Sequence, residues 1–214
     1  MTTTSSSLLT DLNWRYATKK FDTSKKVSAE DLETIMSAVN LAATSYGLQP
    51  FRVMHVQDPA VREKLKAAAY GQPQITDADH LFVFCHLLEV SDEYVDDYIA
   101  RIAAERNTDV ANLKGFGDTI KGSLGNKTSQ EVADWTRRQA YIALGHLLVT
   151  AATLRVDSCP MEGFDAAAFG EILGLKDQGL GAAVVATVGY RSEEDQLQHA
   201  AKVRLPLTEL FHTV

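Results

Sequence analysis

The chain is poor in cysteine and proline, with two and five in 214 residues, and no hydrophobic run is long enough to span a membrane. The first shortage excludes a disulfide framework. Cys85 and Cys159 stand alone, without CxxC or Cys/His spacing, and read as small buried side chains in a reducing cytoplasm. The most apolar stretch, Gln139 to Leu154, is diluted with Ala, Gly, Thr and His and reads as a buried helix. Positive charge is also scarce: 21 Lys and Arg face 28 Asp and Glu, a formal net charge of -7. Nucleic acid and anionic membrane both call for a basic face, so neither is an expected partner. The first seven residues lack a basic n-region and an apolar core, so no targeting signal is expected and 1–7 reads as a disordered tail. There is no P-loop, no GxGxxG after a strand and no HExxH, and the six histidines are scattered without ligand spacing. Rossmann-type nucleotide binding and zinc hydrolysis have no support.

Hydrophobic residues at 45% and charged residues at 23% describe an ordinary globular chain, long enough for one substantial core. Leu8 to Ala17 reads as a short helix. Ser28 precedes Glu30 and Asp31 as a helix cap, and Leu32, Ile35, Met36 and Val39 follow at helical spacing. Phe51–Val56 reads as a strand, and Pro59 opens a helix whose stripe is Val61, Leu65 and Ala68. Leu81–Cys85 and Gly181–Gly189 read as strands covered on both faces. Helices are expected over Asp92–Arg106 and Ser129–Arg155, with an irregular, mobile stretch at Leu113–Lys127 between them. The class is α+β or α/β in a single domain spanning 1–214. The tail after Tyr190 has little periodicity, yet Leu205, Leu207, Leu210 and Phe211 call for burial, as a second subunit could provide.

Four stretches can carry chemistry. In Arg15-Tyr-Ala-Thr-Lys-Lys-Phe-Asp22, Arg15 and Lys19 share a face whether the chain is helical or extended, and a guanidinium fork with an ammonium suits phosphate. Lys202 and Arg204 project to one side if extended. Taken alone, each pair reads as solvated surface, and spacing does not show that they meet. Cys159-Pro-Met-Glu-Gly-Phe-Asp165 could expose the Gly163 N–H to a ligand, although a tight turn entering a helix capped by Asp165 is the plainer reading. Ala43–Phe51 is a small, polar, Gly-containing loop of the kind that binds ligands or merely connects.

Together these stretches, with His80-Leu-Phe-Val-Phe-Cys85, resemble the nitroreductase family, most closely its oxygen-insensitive NAD(P)H nitroreductase and dihydropteridine reductase type. The resemblance runs from about Trp14 to Pro206, and its specificity lies in five pieces in the family's order. It implies a nitroreductase-like α+β fold, a central mixed sheet surrounded by helices, in an intertwined homodimer with two FMN sites at the interface. Arg15, Lys19, Lys202 and Arg204 would hold the FMN phosphate and ribityl chain, with Tyr16 and Ala17 beside them. Lys19 would also reach the O2/N1 edge of the ring. Pro160, Met161, Glu162 and Gly163 would lie beside N5. Thr44, Ser45 and Gly47 would come from the other subunit, with Gln49 behind, and Gln72 and Gln74 would meet the pyrimidine edge. Ala17 stands where many members have Ser, and Gly47 replaces a frequent Asn. The activity implied is two-electron ping-pong hydride transfer through flavin N5, from NADH or NADPH to a quinone, nitroaromatic or similar small aromatic acceptor. A non-catalytic flavin carrier or sensor is the alternative. No side-chain nucleophile and no metal is required, since the cofactor carries the chemistry.

Overall fold

The computed structural model describes residues 5–214. The first described element is α1 (Ser5–Trp14). The expected disordered tail therefore falls outside the described residues at 1–4 and is helical from Ser5. Ser28 caps α2 (Ala29–Asn40) by accepting from the Asp31 N–H, and the helix buries Ile35 and Val39. Strand β1 (Phe51–Val56) leads to α3 (Pro59–Ala68), where Asp58 accepts from Ala60 N–H and Pro59 opens the first turn. Besides Leu65, α3 buries Arg62, which the apolar stripe did not foretell. Its guanidinium donates to the carbonyls of Ile75, Ala78 and Asp79, and so fastens the short α4 (Gln74–Asp77) to α3.

Strand β2 (His80–Leu87) is followed by α5 (Asp92–Glu105), α6 (Lys114–Gly125) and the 25-residue α7 (Ser129–Thr153). Thr128 and Glu131 form a reciprocal cap on α7. The stretch expected to be irregular is thus a helix. Its glycines misled: at Gly117 a Cβ would lie 3.2 Å from Ile99 Cγ1, so the missing side chain lets α6 close on α5, with Ile120 and Leu124 buried between them. Strand β3 (Asp157–Met161), α8 (Ala166–Ile172) capped by Asp165, β4 (Leu180–Gly189) and the short α9 (Leu207–Leu210) complete the chain. β3 takes in Cys159, Pro160 and Met161, the start of the stretch expected to be a tight turn. It is an edge strand, where a residue without an N–H is tolerated.

The sheet order is β1-β2-β4-β3, and every neighbouring pair is antiparallel. The mixed character expected of it is confined to one isolated parallel bridge, Ala17 with Ser158. Alternation explains the continuous apolar run of β2. Leu81, Val83 and Cys85 face a cluster with Leu65, Ile75 and Phe169, while Phe82 and Phe84 face α2 and α7 through Ile35, Ala143 and Leu147. Two helical layers therefore sandwich one sheet. Among the described residues, no helix is long and apolar enough to cross a membrane. Beyond the sheet, Val203, Leu205, Leu207 and Phe211 are all more than half exposed.

Candidate functional site

The two ends of the chain meet beside β3. After α1 the backbone runs extended. Ala17 bridges Ser158, the Thr18 N–H donates to Ser158 at 3.3 Å, and Phe21 pairs with Arg191. Ser192 N–H then donates to the Lys20 carbonyl at 2.9 Å. This lacing sets Arg15, Tyr16, Ala17 and Lys19 opposite Lys202 and Arg204, around a cavity of about 370 Å³.

The cavity is electrostatically unbalanced. Burial lowers the Arg15 guanidinium below its ordinary value, and the charge of Arg204 lowers it further. Burial likewise depresses Lys202, followed by the charges of Arg15 and Arg204. Among the described residues, no carboxylate pairs with Arg15, Lys19, Lys202 or Arg204. Nearby acids are engaged elsewhere: Asp11 pairs with Arg155, and Asp157 with Arg191, both at 2.5 Å. The Arg15 Nε–H is buried without a partner. Lys202 Nζ donates to the Leu12 carbonyl at 2.6 Å and to that of Arg15, at the end of α1, so one N–H of three remains for anything else. Arg204 donates to its neighbour's carbonyl at Val203.

Asp195 stands behind these cations. It is buried, and accepts from the Lys19 N–H at 2.7 Å, the Lys20 N–H at 3.1 Å, the Tyr16 hydroxyl at 2.9 Å and the Leu197 N–H at 3.1 Å. Burial pushes its carboxyl up, but these donors outweigh burial and hold it below the usual range. Burial and the bond to Asp195 raise the Tyr16 hydroxyl.

The site continues along β3. Lys19 Nζ lies 3.9 Å from Cys159 Sγ, one residue before Pro160. Pro160 and Met161 close the strand, and the loop beyond is held from two sides. Tyr141 of α7 donates to Glu162 Oε1 at 2.5 Å, and burial together with that bond pushes the phenol up to about 12. Gln72 Nε2 donates to the Gly163 carbonyl at 2.6 Å and to that of Ala69 at 3.0 Å, so both its N–H bonds are engaged. Gln74 is buried in α4, and its Oε1 has no partner.

Thr44, Ser45 and Gly47 do not line the cation cavity within one chain. They form a tight turn against α5 and α7. Ser45 N–H donates to Gln139 Oε1 at 2.8 Å, Thr44 Oγ accepts from Gln49 N–H at 3.1 Å, and the Tyr98 hydroxyl donates to the Tyr46 carbonyl at 2.5 Å. Glycine suits this position, since its φ is 75° and a Cβ would lie 2.6 Å from the Tyr98 oxygen.

Spacing missed Asp195, Tyr141 and Gln139. Asp195 closes the run Ser-Glu-Glu-Asp, which reads as solvated acid, while Tyr141 and Gln139 fall in a helix that reads as core. It also missed that cross-strand pairing joins two histidines, with His55 Nε2 and His80 Nδ1 3.1 Å apart. Both cysteines are free and buried, and burial raises both thiols, that of Cys85 to about 12. Among the described residues, no group of three or more His, Cys, Asp or Glu side chains could hold a metal ion.

The arrangement has relatives. A model of the nitroreductase family matches residues 12–190. A provisionally named NAD(P)H nitroreductase of Staphylococcus saprophyticus is 36% identical over 202 residues, which cover 91% of this chain and 92% of that protein. In fold, the chain is similar to a provisionally named nitroreductase of Bacillus subtilis. The TM-score is 0.87 at 23% identity, covering 98% of this chain and 99% of the other. It is also similar to a provisionally named nitroreductase from Exiguobacterium sibiricum, solved in complex with FMN. There the TM-score is 0.83 at 17% identity, covering 97% of each chain.

Proposed function

The chain belongs to the nitroreductase family, and from that premise we propose that it is an FMN-dependent NAD(P)H oxidoreductase. It acts as a single FMN-binding unit over 1–214, paired as a homodimer in the cytoplasm. The observation that carries this reading is the cation cavity joining the two ends of the chain. Cations brought together with no carboxylate paired to any of them, one with a buried and unpartnered N–H, call for a multivalent anion. A phosphate monoester near -2 charge suits that demand. The residues present therefore fit the flavin phosphate.

Bound FMN would supply two-electron hydride transfer from a nicotinamide nucleotide to a small acceptor such as a quinone or nitroaromatic. The protein's part is to hold and orient it. Arg15 offers a planar fork to the phosphate, Arg204 a second guanidinium, and Lys202 its one uncommitted N–H. Tyr16 and Ala17 line the same cavity. Lys19 reaches toward Cys159, where its ammonium would favour negative charge on a bound flavin ring. Glu162 and Gly163, held by Tyr141 and Gln72, would border that ring. Gln72 would turn its free Oε1 to a ring N–H, while Gln74 supports the site from within the core.

A homodimer completes the site. The turn at Thr44, Ser45 and Gly47 stands apart from the cavity of its own chain, and the apolar end of the chain lies exposed. A second subunit would accept the latter and supply the former. The free cysteines suit a reducing compartment.

Heating the purified protein and identifying the released flavin tests the reading directly. FMN is expected, and FAD or no flavin overturns it. Reduction of the bound flavin by NADH or NADPH, followed by reoxidation with a quinone, is the expected activity. Flavin that neither nucleotide reduces would instead mark a carrier or sensor.

A further inference from the structure

Asp195 presents a contradiction in charge. It is a buried carboxylate bonded to the backbone that carries Lys19, yet it forms an ion pair with none of the four cations. Its negative charge opposes any anion entering the cavity. Its contribution to an anion site must therefore come through geometry.

That geometry is specific. One oxygen, Oδ2, gathers the Lys19 N–H, the Lys20 N–H and the Tyr16 hydroxyl, all on the segment that follows α1. The other, Oδ1, accepts from the Leu197 N–H and caps the turn Gln196–His199 that leads toward Lys202 and Arg204. Thus a single carboxylate ties the backbone carrying Arg15 and Lys19 to the backbone carrying the other two cations. Lys202 returns the connection by donating to the carbonyls of Leu12 and Arg15. Arg15, Lys202 and Arg204 repel one another, so their convergence depends on contacts of this kind together with the backbone lacing of Ser192 to Lys20.

We propose that Asp195 is a positioning residue, a latch that holds the two ends of the chain together so that their cations converge on one phosphate. The proposal rests on the FMN reading above and adds a residue that touches neither phosphate nor flavin. It predicts a sign opposite to Coulomb's law. Deleting the carboxylate removes a repulsive charge, which alone would tighten anion binding, whereas loss of the latch weakens it.

The test compares FMN with riboflavin, which lacks the phosphate, by quenching of flavin fluorescence on the full chain stripped of cofactor. In Asp195→Ala, FMN affinity should fall about tenfold while riboflavin affinity changes less than about twofold. A general loss of structure would weaken both alike, and equal losses overturn the proposal. FMN binding that tightens or stays unchanged also overturns it, because charge then outweighs geometry. A wild-type chain that binds FMN no better than riboflavin overturns the phosphate reading and the latch together, so the two failures are distinguishable. Should Asp195→Ala fail to fold, Asp195→Asn keeps the side chain's size and one accepting oxygen while giving up the other acceptor. It should weaken FMN about threefold and leave riboflavin unchanged, and an unaltered preference for FMN overturns the latch.

Discussion

The paired strands β2 and β4 and the cavity between the chain ends lie close in the fold but obey opposite physics. In the strands the apolar side chains improve their situation by being where they are. Phe82 and Phe84 fill one layer, Leu81 and Val83 the other, and the ladder satisfies the backbone. In the cavity the cations are worse off for their surroundings. Arg15 and Lys202 are partly stripped of water, face like charge, and hold their protons less firmly than in solution. The strands stabilise the chain, whereas the cavity is sustained by what surrounds it and gains its compensation from a ligand. Ligand binding should therefore raise the stability of the second region through linkage and leave the first unchanged.

The sharpest way to break this comparison is to damage the strands. Phe84→Ala should destabilise the protein by about 3–5 kcal/mol in urea denaturation, since the ring is fully buried, yet leave the preference for FMN over riboflavin intact. A lost preference would mean that the sheet and the cavity are one unit. Next in size, Arg15→Ala should weaken FMN by about ten- to a hundredfold. Without flavin its melting temperature should hold or rise, because a desolvated cation has been removed. A fall in the flavin-free protein would show that Arg15 serves the fold. Smaller again, Gly47→Ala should cost about 1–2 kcal/mol by forcing a side chain onto a left-handed backbone and into Tyr98. An unchanged denaturation midpoint would show that the turn relaxes freely.

The smallest effect expected is on pH. Burial, then the charges of His80 and Arg62, depress His55 below 6.5, against an opposing pull from Asp79. Burial also depresses His80, with Asp79 opposing and Arg62 and Lys26 reinforcing. The unfolded chain thus binds protons more readily than the folded one. Stability should be complete above about pH 6.5 and decline as pH falls through the lower folded-state values. Replacing His55, which stacks on Phe82 at 4.7 Å, by Phe should flatten the decline of melting temperature between about pH 7 and 5. An unaltered slope would assign the pH dependence elsewhere.

Local signals wrote much of the fold. The Ser28 cap, Pro59 at a first turn, and the apolar runs at 51–56, 81–85 and 181–189 act through near neighbours, and each appears where the residues imply. The misreadings share one cause. Gly117 and Pro160 look like breaks, but the first answers to Ile99 on another helix and the second to an edge position in the sheet. Arg62 looks like surface and is buried because three carbonyls 13 to 17 residues later receive it. For the site, two pairs of cations could be named from residue chemistry and family resemblance, whereas the carboxylate that ties their backbones together left no mark in spacing.

The sequence by itself determined which segments alternate, which are capped, and that positive charge is scarce enough for two basic pairs to matter. Those properties depend on neighbours along the chain. Only the tertiary structure decided that residue 15 meets residue 202, that Tyr141 reaches Glu162, and that Asp195 turns inward rather than into solvent. Such contacts depend on how sheet order and strand register bring distant segments together, and the energy of a hydrogen bond carries no record of sequence separation.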